Sequence, residues 1–447
     1  MDIVIMAGQL MLSLSILIVL HEMGHFFPAR WFNTRVEKFY LFFDPYFSLI
    51  KKKIGDTEYG IGWLPLGGYV KISGMVDESF DREQMKEEPK EWEFRSKPAW
   101  QRLIIMLGGV TVNFILGFLL YGLVLWQWGE EFLPNEQASY GIYADSLGLE
   151  MGLEHGDKIV RIGELPFEKF NDRTIIREIV INNVSQLTVE RGGIEVDLSI
   201  DPKFVGILSS HENKNAGLFT PGFPFVVAEV TAGMPAAKAG LLPEDMILAL
   251  DSVKMPFYID FYEAMKKYPS QEVTLTVLRG GTDTLNLTLL PTEESKIGVL
   301  PLGPNYFFEM EREEYSLAAA LPAGFVKGAN FLNDQFKAFG QMFRGKIKAS
   351  ESLGGFGSIG KMFGAQWNWE RFWTMTAVLS LILAFMNLLP IPALDGGHVL
   401  FLLYEIVSGR KPSDKFMEVA TMVGFAIVLG LVIYANGLDI LRGFFGK

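Results

Sequence analysis

Five residues near the start of the chain, His21-Glu22-Met23-Gly24-His25, have the types and spacing of a metal-assisted hydrolytic centre. On a helix, positions i and i+4 share a face, so His21 and His25 can offer ring nitrogens to one ion. Zinc favours imidazole ligands in tetrahedral geometry. Glu22 lies one residue on, within reach of a water whose pKa zinc lowers towards about 7. Its carboxylate can take that proton and pass it to a leaving amine, as general base and then general acid. Paired histidines also occur on soluble helices with no such role. Here they continue an apolar run from Ile3 to Leu20, where a charge at the bilayer centre costs about 2.5–3.5 kcal/mol. A structural purpose for them there is hard to find.

Two histidines need a third protein ligand if one position is to stay open for water. The chain has no cysteine, which excludes thiolate ligands, cysteine nucleophiles and disulfides, and only five histidines: His21, His25, His155, His211 and His398. The best candidate is Asp395, in Asn387-Leu388-Leu389-Pro390-Ile391-Pro392-Ala393-Leu394-Asp395-Gly396-Gly397-His398. It follows an uncharged apolar stretch, the prolines break the helix locally, and the two glycines let backbone approach closely. His398 competes with it. Residue types alone favour a satisfied interfacial histidine at 398 but leave the choice open.

These residues must be positioned by membrane helices. Ile3–Leu20, Leu103–Trp126, Phe372–Leu394 and Val419–Leu438 are apolar and uncharged, each near the 20 residues that a hydrocarbon core demands. The first has Asp2 and no basic residue ahead of it, unlike a signal peptide. Lysine and arginine crowd the link between the first two spans (Arg30, Arg35, Lys38, Lys51, Lys52, Lys53, Lys71, Arg102) and the link between the last two (Arg410, Lys411, Lys415). The positive-inside bias puts these links in the cytoplasm and both termini outside, with His25 and Asp395 on one side. The long segment from Gln127 to Arg371 is then external. Hydrophobic residues make up 49 % of the 447, which fits spanning helices combined with globular domains, and a net charge of -12 argues against a nucleic-acid partner.

The external segment contains a repeat. Met151-Gly152-Leu153-Glu154-His155-Gly156-Asp157-Lys158-Ile159 matches Ala239-Gly240-Leu241-Leu242-Pro243-Glu244-Asp245-Met246-Ile247 at an offset of 88 residues, one small domain rather than one solenoid turn. Each copy leads into short alternating strands, such as 186–189 and 272–278. The pattern resembles the fingerprint of PDZ domains and predicts two of them, over 134–205 and 220–292. The second has Gly233-Met234-Pro235-Ala236-Ala237 ahead of its helix, and Glu244 where glycine is usual. Between the first two spans, Gly60 to Ile72 reads as a hairpin around Gly67-Gly68, either on the surface or dipping into the membrane with its backbone paired. Ser316 to Phe343 reads as an amphipathic helix interrupted near Pro322, lying on the outer membrane surface or packed on the repeats.

With both motifs in hand, the chain resembles the site-2 protease family of intramembrane zinc proteases (the peptidase M50 type), and most closely the bacterial regulator of sigma-E protease type. The motifs are His21-Glu22-x-x-His25 and Asn387-x-x-Pro390-x-Pro392-x-x-Asp395-Gly396. The resemblance implies four transmembrane helices, a membrane re-entrant β-hairpin at about 58–75, and two mixed α/β PDZ domains inserted between the second and third helices. Its expected boundaries are 1–30 for the first helix, 31–102 for the cytoplasmic segment, 103–126 for the second helix, 312–350 for the amphipathic segment, 372–404 for the third helix and 417–440 for the fourth. It also implies that His21, His25 and Asp395 bind zinc, that Glu22 is the catalytic base, and that Asn387 and Gly67-Gly68-Tyr69 hold the unwound substrate backbone. The implied substrates are transmembrane segments of single-pass proteins, of the anti-sigma factor and remnant signal peptide kind. The implied place is the bacterial inner membrane, in contact with lipid, with periplasmic PDZ domains and termini and the site towards the cytoplasm. Two stretches depart from the family pattern. Gly108-Gly109-Val110-Thr111-Val112-Asn113-Phe114 stands where Gly-Pro precedes Asn-Phe, and Gly355-Phe356-Gly357-Ser358-Ile359 where Gly-Pro-Ile-Ser-Ile is common. Both are expected to stand clear of the ligands. A non-enzymatic peptide-binding scaffold would have no need of Glu22, and a zinc transporter would need neither Glu22 nor the repeats.

Overall fold

The computed structural model describes all residues except 1, 66, 76–87, 211, 214–215, 349, 351–352 and 446–447. His211, and Leu66 within the glycine-rich run, therefore lie outside the described residues. The chain forms two compact units. One comprises Met1–Gly129, Glu314–Phe336 and Ser352–Lys447, and the other Glu130–Glu313 and Lys337–Glu351.

The first unit contains four helices long and apolar enough to cross a membrane: Asp2–Trp31, Ala99–Trp128, Trp369–Leu388 and Lys415–Arg442. The first runs past Leu20 to Trp31, so the His-Glu motif lies inside the helix rather than at its end. Small residues let the first two helices touch. A side chain on Gly24 would collide with the Gly108 carbonyl, and one on Gly108 with the Gly24 carbonyl. Pro28 has no N–H to offer the Gly24 carbonyl, so that oxygen is free to face the second helix. Polar pairs fix the third helix in turn: Ser13 and Thr376 hydroxyls meet at 2.9 Å, and Ser380 donates to the Asn113 carbonyl at 2.7 Å, both buried. With no water to compete, such bonds hold helices in register.

The expected 372–404 helix does not run as one piece. It stops at Leu388, and a new helix begins at Asp395 and ends at Ser408. Pro390 and Pro392 cannot donate to a helix ladder, and Ala393 takes φ 116°, a conformation that L-residues avoid. A side chain on Gly397 would sit 2.5 Å from the Pro392 Cα, so this glycine lets the new helix close onto the link. The buried Arg102 pairs with Glu405 at 2.5 Å, tying the new helix to the second membrane helix.

The Leu317–Phe343 helix continues through Pro322 without interruption, losing at most one backbone bond near its start. Its Gly324 packs on Gly122, its Gly328 on Phe118 and Leu381, and its Phe325 on Phe118 at 4.7 Å between centroids. Residues up to Phe336 thus pack on the second and third membrane helices.

The glycine-rich run is not a simple hairpin. Strands β1 (Val36–Leu41), β2 (Phe43–Ile54), β3 (Thr57–Leu64) and β4 (Tyr69–Ile72) form one sheet in the order β2-β3-β1-β4. β3 is parallel to β1 and β4 antiparallel to it, so the Gly67-Gly68 turn crosses over β1 instead of joining partners. The two-residue hairpin is β2–β3, at Gly55-Asp56.

Among the described residues the second unit holds two larger sheets with separate apolar cores, besides two-stranded pairings. One contains Lys158–Ile162, Leu165–Pro166, Gln186–Arg191 and Ile194–Ser199, with the helix Asp172–Asn182; Ile142–Ala144 and Phe219–Pro221 pair beside it. The other contains Phe225–Val230, Met246–Leu250, Val253–Lys254, Val273–Arg279, Asp283–Leu289 and Val299–Pro301, with the helix Tyr258–Met265. Strands in both therefore reach past the boundaries at 205 and 292. The sequence repeat is a repeat of hydrogen bonds. Asp157 is buried, accepts from Arg191 Nε at 2.8 Å and caps the Glu154 amide at 2.8 Å, while Arg191 also reaches the Gly152 carbonyl at 2.9 Å. Asp245, Arg279, Leu242 and Gly240 repeat this set, at 2.8, 2.9 and 2.8 Å. At the turn before each aspartate the backbone is left-handed, at Gly156 (φ 91°) and again at Glu244 (φ 69°), so the departure from glycine at 244 did not change the turn.

Candidate metal centre

The first membrane helix and the Asp395–Ser408 helix bring three ligand-type atoms together. His21 Nε2 and His25 Nε2 are 3.2 Å apart, and Asp395 Oδ2 lies 3.3 Å from the former and 3.4 Å from the latter. Asp395 Oδ2 is buried and has no hydrogen-bond partner among the described residues. Two ring nitrogens and a carboxylate oxygen pressed together in a desolvated site need a shared cation or protons between them. The spacing suits a cation. A tetrahedral ion with ligand bonds of about 2.0–2.1 Å has edges of about 3.3–3.4 Å, and the distances of 3.2, 3.3 and 3.4 Å lie within about 0.1 Å of that.

The surroundings leave nitrogen lone pairs for an ion. His25 Nδ1 lies 2.8 Å from the Ile105 carbonyl, which can only accept, so Nδ1 carries a proton and in the neutral ring the lone pair is on Nε2. Gly109 faces both rings. A Cβ there would lie 2.8 Å from His21 Nε2 and overlap His25 Nε2. Asn113, fully buried, contacts His21 Nδ1 at 3.1 Å. The Gly108–Phe114 stretch, expected to stand clear of the ligands, thus touches both histidines. The helix pairing across Gly24 and Gly108 is what carries it there. A buried amide and a glycine pair in an otherwise apolar span were the available signals, since polar groups in such a span are costly. The second departure does stand clear: Ser358 donates to Asp439 through its hydroxyl at 2.6 Å and its amide at 2.7 Å.

The remaining candidates separate. Asn387, in the last turn of the third membrane helix, brings its amide to 3.4 Å from His21 Nε2. Gly68 lies against the first helix: a Cβ there would be 2.5 Å from Ile18 and 3.5 Å from Glu22 Cγ. β4 therefore passes the Glu22 side chain closely. Gly67 instead faces the Phe43 ring. The Tyr69 hydroxyl donates to Asp44 at 2.8 Å, and its ring stacks on Tyr40, so its side chain serves the sheet. His398 does not join the three-atom cluster. It lines a small cavity with Arg102 and Glu405.

The model of peptidase family M50 matches residues 9–431 of the chain. A protein of Haemophilus influenzae named regulator of sigma E protease is 28% identical over 97% of this chain and 98% of its own length. The Escherichia coli protein named regulator of sigma-E protease RseP is 28% identical over 96% and 97%. A Neisseria meningitidis protein, named provisionally as a zinc metalloprotease, is 27% identical over 96% and 97%. Similarity along nearly the whole chain, together with a buried cluster of zinc-ligand type, leads to one conclusion: the chain belongs to peptidase family M50 and is a zinc metalloprotease with membrane-crossing helices.

Proposed function

We propose that the protein is an intramembrane endopeptidase that cuts transmembrane segments of single-pass proteins, anti-sigma factors and remnant signal peptides among them. The observation that carries this reading is the tetrahedral spacing of His21, His25 and Asp395 on helices that are themselves membrane-crossing or joined to one. The three side chains hold zinc, which supplies the Lewis acidity that polarises a peptide carbonyl and acidifies water. Glu22 takes the proton of the attacking water and returns it to the departing amine.

A transmembrane helix must unwind before it can be cut, and its freed N–H and C=O groups need partners in the membrane. β4 is an edge strand beside Glu22, and an extended substrate added to that edge would find them. In this reading Gly67-Gly68-Tyr69 presents the edge, the sheet dips into the membrane, and the Asn387 amide donates to the substrate backbone near the metal. The two sheets of the second unit act as a periplasmic PDZ tandem that turns away substrates not yet trimmed. Basic residues keep the site towards the cytoplasm of a bacterial inner membrane, with both termini periplasmic. The test is a cleavage assay in proteoliposomes with a single-pass substrate, mapping the cut by mass spectrometry. A cut within the apolar segment, abolished by Glu22→Gln, is expected; a cut only outside it sinks the reading.

A further inference from the structure

We infer that the second membrane helix sets the tautomers of both histidines through one stripe of three positions, Ile105, Gly109 and Asn113, and that Asn113 is a positioning residue for His21. The inference rests on the ligand reading above. Residues four apart share a helix face, and this stripe runs along the two rings: the Ile105 carbonyl on His25 Nδ1, the bare Gly109 Cα against both Nε2 atoms, and the Asn113 amide on His21 Nδ1.

The Asn113 side chain is fully buried. Its contact with His21 is the single hydrogen bond that the amide makes among the described residues, and its other end has no partner. The two ends of an amide have the same shape, so which one faces the ring is decided by the proton on the ring. With the NH2 end towards Nδ1, the neutral ring would carry its proton on Nε2, pointing at Asp395 and His25 and closing the site to an ion. With the oxygen towards Nδ1–H, Nε2 presents a lone pair beside that of His25. The second arrangement makes the two histidines equivalent, each with Nδ1–H given to an acceptor on the second helix. An ion then meets two neutral imidazoles already turned towards Asp395. A carboxylate at 113 would accept the same hydrogen bond, whereas an apolar side chain of like volume would not.

The test uses the full chain in detergent or nanodiscs, with zinc as the probe. Zinc retained against a graded chelator is measured by mass spectrometry for the unaltered protein, Asn113→Leu, Asn113→Ala, Asn113→Asp and His21→Phe. Thermal unfolding of each is recorded without zinc. Asn113→Leu and Asn113→Ala should hold zinc about 10- to 100-fold more weakly while each still unfolds cooperatively without zinc, and Asn113→Asp should restore tight binding. Undiminished zinc affinity in both apolar variants overturns the inference. So does an Asp variant as weak as the Leu variant, because acceptance by oxygen is then not what matters. Zinc retained by His21→Phe overturns the ligand reading itself, which separates the two failures.

Discussion

Among the described residues, Glu22 is the one ionisable side chain at the site that the ligand reading leaves for proton transfer. Glu22→Gln keeps its shape and removes its basicity. It should lower cleavage by at least about 10²–10⁴-fold while zinc stoichiometry stays at one; turnover near that of the unaltered chain would exclude the base role. Zinc itself should stabilise the fold, since an ion that binds only the assembled site adds about 2.7 kcal/mol at a hundredfold excess over its Kd. Thermal unfolding should therefore move up with added zinc and back with chelator, and Asp395→Ala should abolish the shift. At this scale the sequence was legible where spacing is local. His21 and His25 declare themselves by i and i+4. Asp395 was legible only as the better of two candidates, because the pairing depends on a broken helix about 370 residues away, and the family motif decided between it and His398. Asn113 and Gly109 went unread because their importance comes from a helix–helix contact with no local pattern.

At the scale of elements, the second sheet provides two sharp tests. Burial by itself would raise the Asp245 carboxyl, but the hydrogen bond from Arg279, the Leu242 amide and the guanidinium charge hold it below the usual carboxylate range. A depressed folded value means a contribution that is complete above the unfolded pKa of about 3.9 and is lost as pH falls through the folded value. Unfolding of this sheet should therefore ease below about pH 4. Arg279→Leu should lower the unfolding temperature at neutral pH and flatten the acid dependence; an unchanged acid limb would show that the pair contributes nothing. Glu244 holds the left-handed turn that Gly156 holds in the other copy. Glu244→Gly should relieve on the order of 1 kcal/mol of backbone strain, read as a rise in unfolding temperature. The membrane helices and the repeat were legible as apolar length and as a recurring Gly-Leu…Asp-x-Ile. The topology of β1 to β4 was not. Gly-Gly between two strand-like runs looks the same whether it joins neighbours or steps across a third strand, and β1 belongs to the residues before the run.

For the whole molecule, the proposed filter predicts that removing residues 140–291 lets untrimmed single-pass substrates be cut while the metal site is kept. Measured on trimmed and untrimmed forms of one substrate, the selectivity ratio should collapse towards one. An unchanged ratio would place selectivity elsewhere. Composition and charge distribution had already argued for spanning helices with an inserted globular region. They could not show that residues 317–336 pack along the second and third membrane helices, because an amphipathic pattern specifies an apolar face without naming what covers it.

His21 and Asp395 are separated by about 370 residues of chain, and they meet in one site. A ribosome adding about 5–20 residues per second needs roughly 20–75 s to travel from one to the other. Throughout that interval the first helix carries its two histidines and its glutamate. It has no third ligand, and the Asp395–Ser408 helix that Arg102 anchors does not yet exist. On the proposed reading of the site, the metal centre therefore stays incomplete until Asp395 has been made, and hydrolytic competence waits on the segment that carries it.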